Sequence, residues 1–208
     1  MLLQYMPLDE LKKLKEDIEK SLNPPSGVRA TLTGGALIHT EVFLALTNMR
    51  RKLTFLSLLL VFIALLILFR GRIRRAFIAT LPIALILGWS TLIMYFGGIK
   101  YDPLTSTMGA LILGIGAEYT ILMLWRYDEE RAEGLEGEEA ISLASGRIGR
   151  AILASGVTTM GGFGALMLSR DFIILKHLGL VIVCNIALAL LSTFIVLPPL
   201  LILMERGR

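Results

Sequence analysis

The chain has 208 residues, 55% of them apolar, and a formal net charge of +4. A mean hydropathy of +0.71 lies far from soluble domains and reads as a multispanning membrane protein. Two histidines and one cysteine exclude a His/Cys metal cluster and a disulfide framework, and no cofactor is implied. Basic residues confined to the ends of apolar stretches argue against a nucleic-acid surface.

The N-terminal segment is less apolar than the spans that follow it. Leu2–Met6 reads as a short strand. Leu11, Leu14, Ile18 and Leu22 then recur at helical spacing between Asp9 and Asn23. Asn23-Pro-Pro-Ser-Gly27 ends that helix, and Val28, Ala30 and Leu32 alternate as in a half-buried strand. From Gly34-Gly35 an amphipathic stretch leads into the first span. Residues 1–50 are thus expected to form a small β-α-β piece, too short for an independent core and part of a larger extracytoplasmic domain.

Residues 51–208 are expected to form a five-span domain, so that the fold class is membrane all-α with a small α+β N-terminal piece. The predicted spans run Leu53–Phe69, Ala76–Phe96, Leu104–Trp125, Ala151–Leu168 and Leu178–Met204. Arg70-Gly-Arg-Ile-Arg-Arg75 is a basic turn between the first two, and Arg126–Arg150 a charged connector between the third and fourth. The connector is expected as a solvated helix or helix pair at the inner surface. Near the span ends, ten Lys and Arg in the basic turn, connector and tail face six on the opposite side: Lys100, Arg170 and Lys176 in the short loops, and Arg50, Arg51 and Lys52 before the first span. By the positive-inside rule the C-terminus is cytoplasmic and the N-terminus lies outside a plasma membrane. No earlier span or leader precedes that outside segment, which reads as a fragment or one piece of a split transporter. Pro198-Pro199 is expected to kink the last span, and Asn185 to need an interhelix partner.

Glu118 is the most informative residue. It lies in an apolar span about seven residues from the cytoplasmic end, a depth of roughly 10 Å. A carboxylate there is costly and persists where it has a partner, a proton to exchange or a watery path. Gly109, Leu113, Gly116 and Thr120 share one face of the span, while Leu111, Gly114, Glu118 and Leu122 share a nearly opposite one. Small residues on both faces predict a central helix, with Glu118 facing protein. On the fourth span Ser155, Thr158, Thr159 and Gly162 form a small polar stripe at similar depth, with Gly161 beside it.

These residues permit proton exchange. Apolar surroundings favour a neutral carboxyl, and hydroxyls and a phenol offer or accept its hydrogen bond. Glu118, Tyr119, Thr158 and Thr159 are the candidate proton relay, and Gly109, Gly114, Gly116, Gly161 and Gly162 the candidate packing glycines. The plain alternatives are a structural or snorkelling carboxylate at Glu118, packing at Tyr119, and hydroxyls bonded back to their own helix at Thr158 and Thr159. The glycines of Thr158-Thr-Met-Gly-Gly-Phe-Gly164 are not followed by Lys-Ser/Thr, so they form no P-loop, and no enzymatic motif is present.

Pro103-Leu-Thr-Ser-Thr-Met-Gly109, Gly114-Ile-Gly-Ala-Glu-Tyr119, Arg126-Tyr-Asp-Glu-Glu130, Thr158-Thr-Met-Gly-Gly-Phe163 and Leu197-Pro-Pro199 occur in one order. Together they resemble the resistance-nodulation-division superfamily, in its hydrophobe/amphiphile exporter or MMPL-like branch. The resemblance covers residues 53 to 205 and implies the last five helices of one half, preceded by the end of a porter domain. Where such proteins often carry Asp-Tyr, this chain has Glu118-Tyr119. The implied function is a proton-driven exporter of lipids or other amphiphiles. It would use the bilayer, an amphiphile substrate and a second half or homo-oligomer that supplies the missing helices. Two other five-span readings stay open: a sterol-sensing-like lipid-binding regulatory module, and a Sec-type protein-export auxiliary.

Overall fold

A computed structural model describes residues 13, 16–18, 20–21, 34–99, 103–169 and 172–206. The chain divides into two compact units, Met1–Met49 and Arg50–Arg208. In the first, residues 13, 16–18, 20 and 21 are helical, within the stretch expected to be helical. The strands expected at Leu2–Met6 and near Val28–Leu32 lie outside the described residues.

The described residues are otherwise all-helical. They comprise α1 (Gly35–Leu68), α2 (Ile73–Phe96), α3 (Pro103–Ala132), α4 (Gly137–Gly164), α5 (Ile173–Leu191) and α6 (Leu197–Arg206). A 3₁₀ turn, Ala165–Leu168, extends α4, and a π-helical turn, Ser192–Val196, joins α5 to α6. Four stretches are long and apolar enough to cross a membrane: Ile73–Phe96, Met108–Ala132, Gly137–Leu168 and Ile173–Leu203. The first expected span, Leu53–Phe69, corresponds to Lys52–Leu68 within α1, a shorter apolar helix near the lower limit of about 17 residues for a crossing.

Three helices end in the same way. After α1, Gly71 N–H reaches the Leu66 carbonyl at 2.8 Å and Arg70 N–H reaches Ile67 at 3.0 Å. The same paired bonds close α2 at Gly98–Ile99 and α3 at Gly134–Leu135. This termination places one residue in the left-handed region, which glycine enters without Cβ strain. Gly98 (φ +63°) and Gly134 (φ +94°) supply it at two ends, but Arg70 (φ +52°) holds it at the first.

Helix α3 is central and packs against α2, α4 and α5. Its Leu113, Tyr119, Met123 and Tyr127 are almost wholly buried, against Ile83 and Ile86 of α2, Ile152 of α4 and Ile182 and Ile186 of α5. Lipid tails are as apolar as these side chains, so close packing rather than escape from water favours their association.

The charged connector is a pair of helical segments, as one of the two expected forms, but these continue the flanking spans. α3 runs on to Ala132 and α4 starts at Gly137, so residues 126–150 are two helix extensions joined by a short turn. Their charges satisfy one another between the helices, which is why hydropathy ends a span at Trp125 while the helix continues. Pro198 and Pro199 likewise do more than bend the last helix. Their rings oppose the carbonyls four residues back, at Phe194 and Ile195, and both lie in the π turn that widens the helix there.

Candidate functional site

Three consecutive residues of α3 point in different directions, about 100° apart along the helix. Tyr119 is 1% exposed and Thr120 is likewise buried, its hydroxyl without a hydrogen-bond partner among the described residues. Glu118 instead lies on the exposed strip with Leu111, Gly114 and Trp125. Among the described residues no helix covers Glu118, so the protein it is expected to face is not α2, α4 or α5. Its neighbours α2, α4 and α5 cover the other sides of α3 and leave this strip open.

The hydroxyls of the fourth span do not reach the carboxylate. Thr158 donates to the Ala154 and Ser155 carbonyls at 3.0 and 2.9 Å, and Thr159 donates to Ser155 at 2.7 Å. Thr158 is exposed and Thr159 half-buried. Among the described residues no hydrogen bond joins either to Glu118. Bonding back within one turn satisfies the hydroxyl locally, which competes with any bond across helices.

The candidate glycines fall into two groups. A Cβ at Gly109 would come 2.8 Å from Thr54 Oγ1 of α1, and one at Gly116 would come 2.9 Å from Ile86 Cδ1 of α2. Gly114, Gly161 and Gly162 have open space where a Cβ would stand, so no neighbour among the described residues requires them. Helix α4 is largely uncovered as well. Of its apolar stretch 11% is buried, against 50% for Ile173–Leu203. The carboxylate, the open glycines and Thr158 therefore all lie on exposed faces of α3 and α4.

Sequence reasoning missed three further close approaches. At Gly179 a Cβ would meet the Phe163 carbonyl oxygen at 2.6 Å, at Gly156 Leu190 at 2.8 Å, and at Gly149 Phe194 at 3.0 Å. These glycines let α4 and its 3₁₀ extension lie directly against α5 and the π turn. The seven-residue spacing of Gly149 and Gly156, which keeps both on one helix face, was the available signal.

Polar residues tie the helices together at the charged end. Arg75 Nη1 of α2 donates to both Asp128 oxygens of α3, at 2.9 and 3.0 Å. Glu130, with its side chain fully buried, pairs with Arg126 one turn back and with Arg147 of α4. The acidic run Asp128-Glu-Glu130 thus contains two internal ties. Asn185, expected to need a partner on another helix, donates its amide to the Val181 carbonyl of its own helix at 2.7 Å. Its side-chain oxygen is buried beside Ile112 and Ile115 of α3 with no described hydrogen-bond partner.

A central apolar helix carrying one mid-span carboxylate, packed among further apolar helices, defines a polytopic helical membrane protein. The chain belongs to the MMPL family, whose model matches residues 7–207. It is 31% identical over 193 residues to a membrane protein of Methanocaldococcus jannaschii, an alignment covering 93% of this chain and 49% of that one. It is 30% identical to the apo-petrobactin exporter of Bacillus anthracis, over 78% of this chain and 23% of the exporter. With the trehalose monomycolate exporter MmpL3 of Mycobacterium tuberculosis it shares 28% identity, over 83% of this chain and 19% of that protein. The chain therefore spans about half the length of the archaeal relative and a smaller fraction of the two exporters.

Proposed function

We propose that this chain is the transmembrane part of a proton-driven MMPL-type exporter of lipids or other amphiphiles, with Glu118 as the proton-carrying carboxylate. The observation that carries the reading is the exposure of Glu118 on an otherwise apolar span. A carboxylate turned toward lipid is costly, so the strip calls for cover by protein or an aqueous path. Gly114 on α3, and Gly161 and Gly162 on α4, leave room for helices from outside the chain to approach closely. A second half or a second copy, supplying helices additional to those described, is the cover proposed. In that assembly Tyr119 anchors the carboxylate's backbone inside the bundle, and Thr158 and Thr159 offer hydroxyls once their local bonds are exchanged.

The cargo assignment rests on family membership together with relatives named as exporters of apo-petrobactin and trehalose monomycolate. Export through an MMPL-type assembly fits a non-enzymatic role. The orientation follows the charge count: basic turn, helical hairpin and C-terminus on the cytoplasmic side of the plasma membrane, N-terminus outside.

Carbodiimides react with protonated carboxyls in apolar settings. Labelling of Glu118 in membranes, read by mass spectrometry, is expected in the wild type and absent in Glu118→Gln. Glu118→Gln is expected to abolish proton-driven efflux while the protein still assembles. A folded sample whose Glu118 resists labelling, or an active Gln variant, would overturn the reading.

A further inference from the structure

A cavity of about 410 Å³ opens between the end of α1, the basic turn and α3. That volume falls within the roughly 300–1,000 Å³ of small-ligand sites. Its walls differ in chemistry. Leu68, Ile121 and Trp125 form an apolar side, and Arg70, Arg72 and Arg75 with Asp128 form a charged side. Trp125 is 65% exposed at the last apolar turn of α3, where an amphipathic ring marks the boundary between hydrocarbon and headgroups. The cavity thus straddles that boundary.

Its charge is unbalanced. Three guanidinium groups line it against one carboxylate, and Arg75 already holds that carboxylate with one terminal nitrogen. The buried Nε of Arg75 has no hydrogen-bond acceptor among the described residues. Helix α2 begins at this wall with no acidic residue in its first turn and no side-chain cap, so its N-terminal partial charge adds to the positive field. Arg70 occupies the left-handed position that glycine takes at the ends of α2 and α3. A side chain is thus retained at a turn where the backbone favours none.

We propose that this cavity binds the phosphate of an anionic phospholipid, with its acyl chains along Leu68, Ile121 and Trp125. Planar guanidinium groups match phosphate oxygens through paired, charge-assisted hydrogen bonds. The apolar wall and the interfacial tryptophan favour a lipid over a free anion, because a soluble phosphate makes no use of them. Arg70 and Arg72 are the ligands, and Arg75 positions the wall through Asp128. Ile121 and Trp125 lie one and two turns beyond Glu118 on the same side of α3, so the lipid fills the charged end of that exposed strip, and the helices proposed to cover the carboxylate approach nearer its middle.

The test is native mass spectrometry of the full chain released from nanodiscs of equal phosphatidylglycerol and phosphatidylcholine. The wild type is expected to retain phosphatidylglycerol at least threefold over phosphatidylcholine. Arg70→Gln with Arg72→Gln is expected to bring that ratio to about one, and the charge-matched pair Arg131→Gln with Arg150→Gln to leave it unchanged. Arg70→Gly, which relaxes the turn while removing the ligand, is expected to lower the ratio in a protein that folds at least as well. Equal retention in wild type and the Arg70/Arg72 variant would overturn the proposal. Equal loss in the charge-matched pair would do the same, by showing diffuse attraction. A phosphate adduct formed with inorganic phosphate in pure phosphatidylcholine, without any phosphatidylglycerol preference, would assign the site to a free anion instead.

Discussion

Arg147 of α4 donates to Glu130 of α3 at 2.9 Å, and that carboxylate oxygen also pairs with Arg126. The glutamate is fully buried, whereas the two arginine side chains are 50% and 26% exposed. Losing one arginine leaves Glu130 with the other. Losing both strands a buried charge, which costs about 3–5 kcal/mol. Arg147→Ala alone is therefore expected to cost about 1 kcal/mol, and Arg126→Ala with Arg147→Ala clearly more than the two single losses combined. Denaturant unfolding of the four-membered set in one detergent measures this coupling.

The contrast between Gly179 and Gly114 gives a second test. Gly179→Ala drives a Cβ into a backbone carbonyl at 2.6 Å, which cannot rotate away as a side chain can. It is expected to destabilise the bundle by about 1–3 kcal/mol or more. Gly114→Ala meets open space within this chain and gains up to about 1 kcal/mol of helix propensity. In the isolated chain Gly114→Ala should be neutral or stabilising by thermal unfolding. In the assembly proposed above the same change should weaken association, read as a shift in cross-linked oligomer.

Ser192 donates its hydroxyl to the Pro82 carbonyl at 3.0 Å, joining the π turn to the middle of α2. Both groups are buried, so Ser192→Ala is expected to cost about 1 kcal/mol. Hydrogen exchange should also rise locally in the last turn of α5 and in α6, because the bond holds the widened turn against its neighbour. Unchanged exchange there would show that the prolines alone fix it.

Thr158→Val and Thr159→Val remove hydroxyls that bond only to their own helix among the described residues. Each is expected to change stability by no more than about 0.5 kcal/mol. A loss of efflux at unchanged stability would assign the hydroxyl to the proton path. Preserved efflux would leave it a local, structural bond.

Much of the helical framework was legible because apolar runs of membrane length are a property of composition and need no partner to be recognised. The continuation of α3 past Trp125 was not, since hydropathy penalises Arg126, Asp128 and Glu130 individually and cannot see that they neutralise one another and Arg75 or Arg147. Glu118 stood out by type and depth, but its direction did not. Helical periodicity states which residues share a face, not which face the neighbouring helices cover. The glycines show the same limit: Gly161 and Gly162 catch the eye as a pair yet touch nothing here, while the solitary Gly179 admits the tightest approach.

The unbroken run of α3 from the middle of the membrane to Ala132 makes the α3–α4 hairpin a pointer. Its tip lies 14 residues beyond Glu118, about 21 Å along one rigid axis. Under the proposed function, any tilt that accompanies protonation of the carboxylate is magnified at Gly134, which is exposed in the turn between the two helices. A spin label or fluorophore placed there reads the motion of the helix that carries Glu118 without disturbing its surroundings.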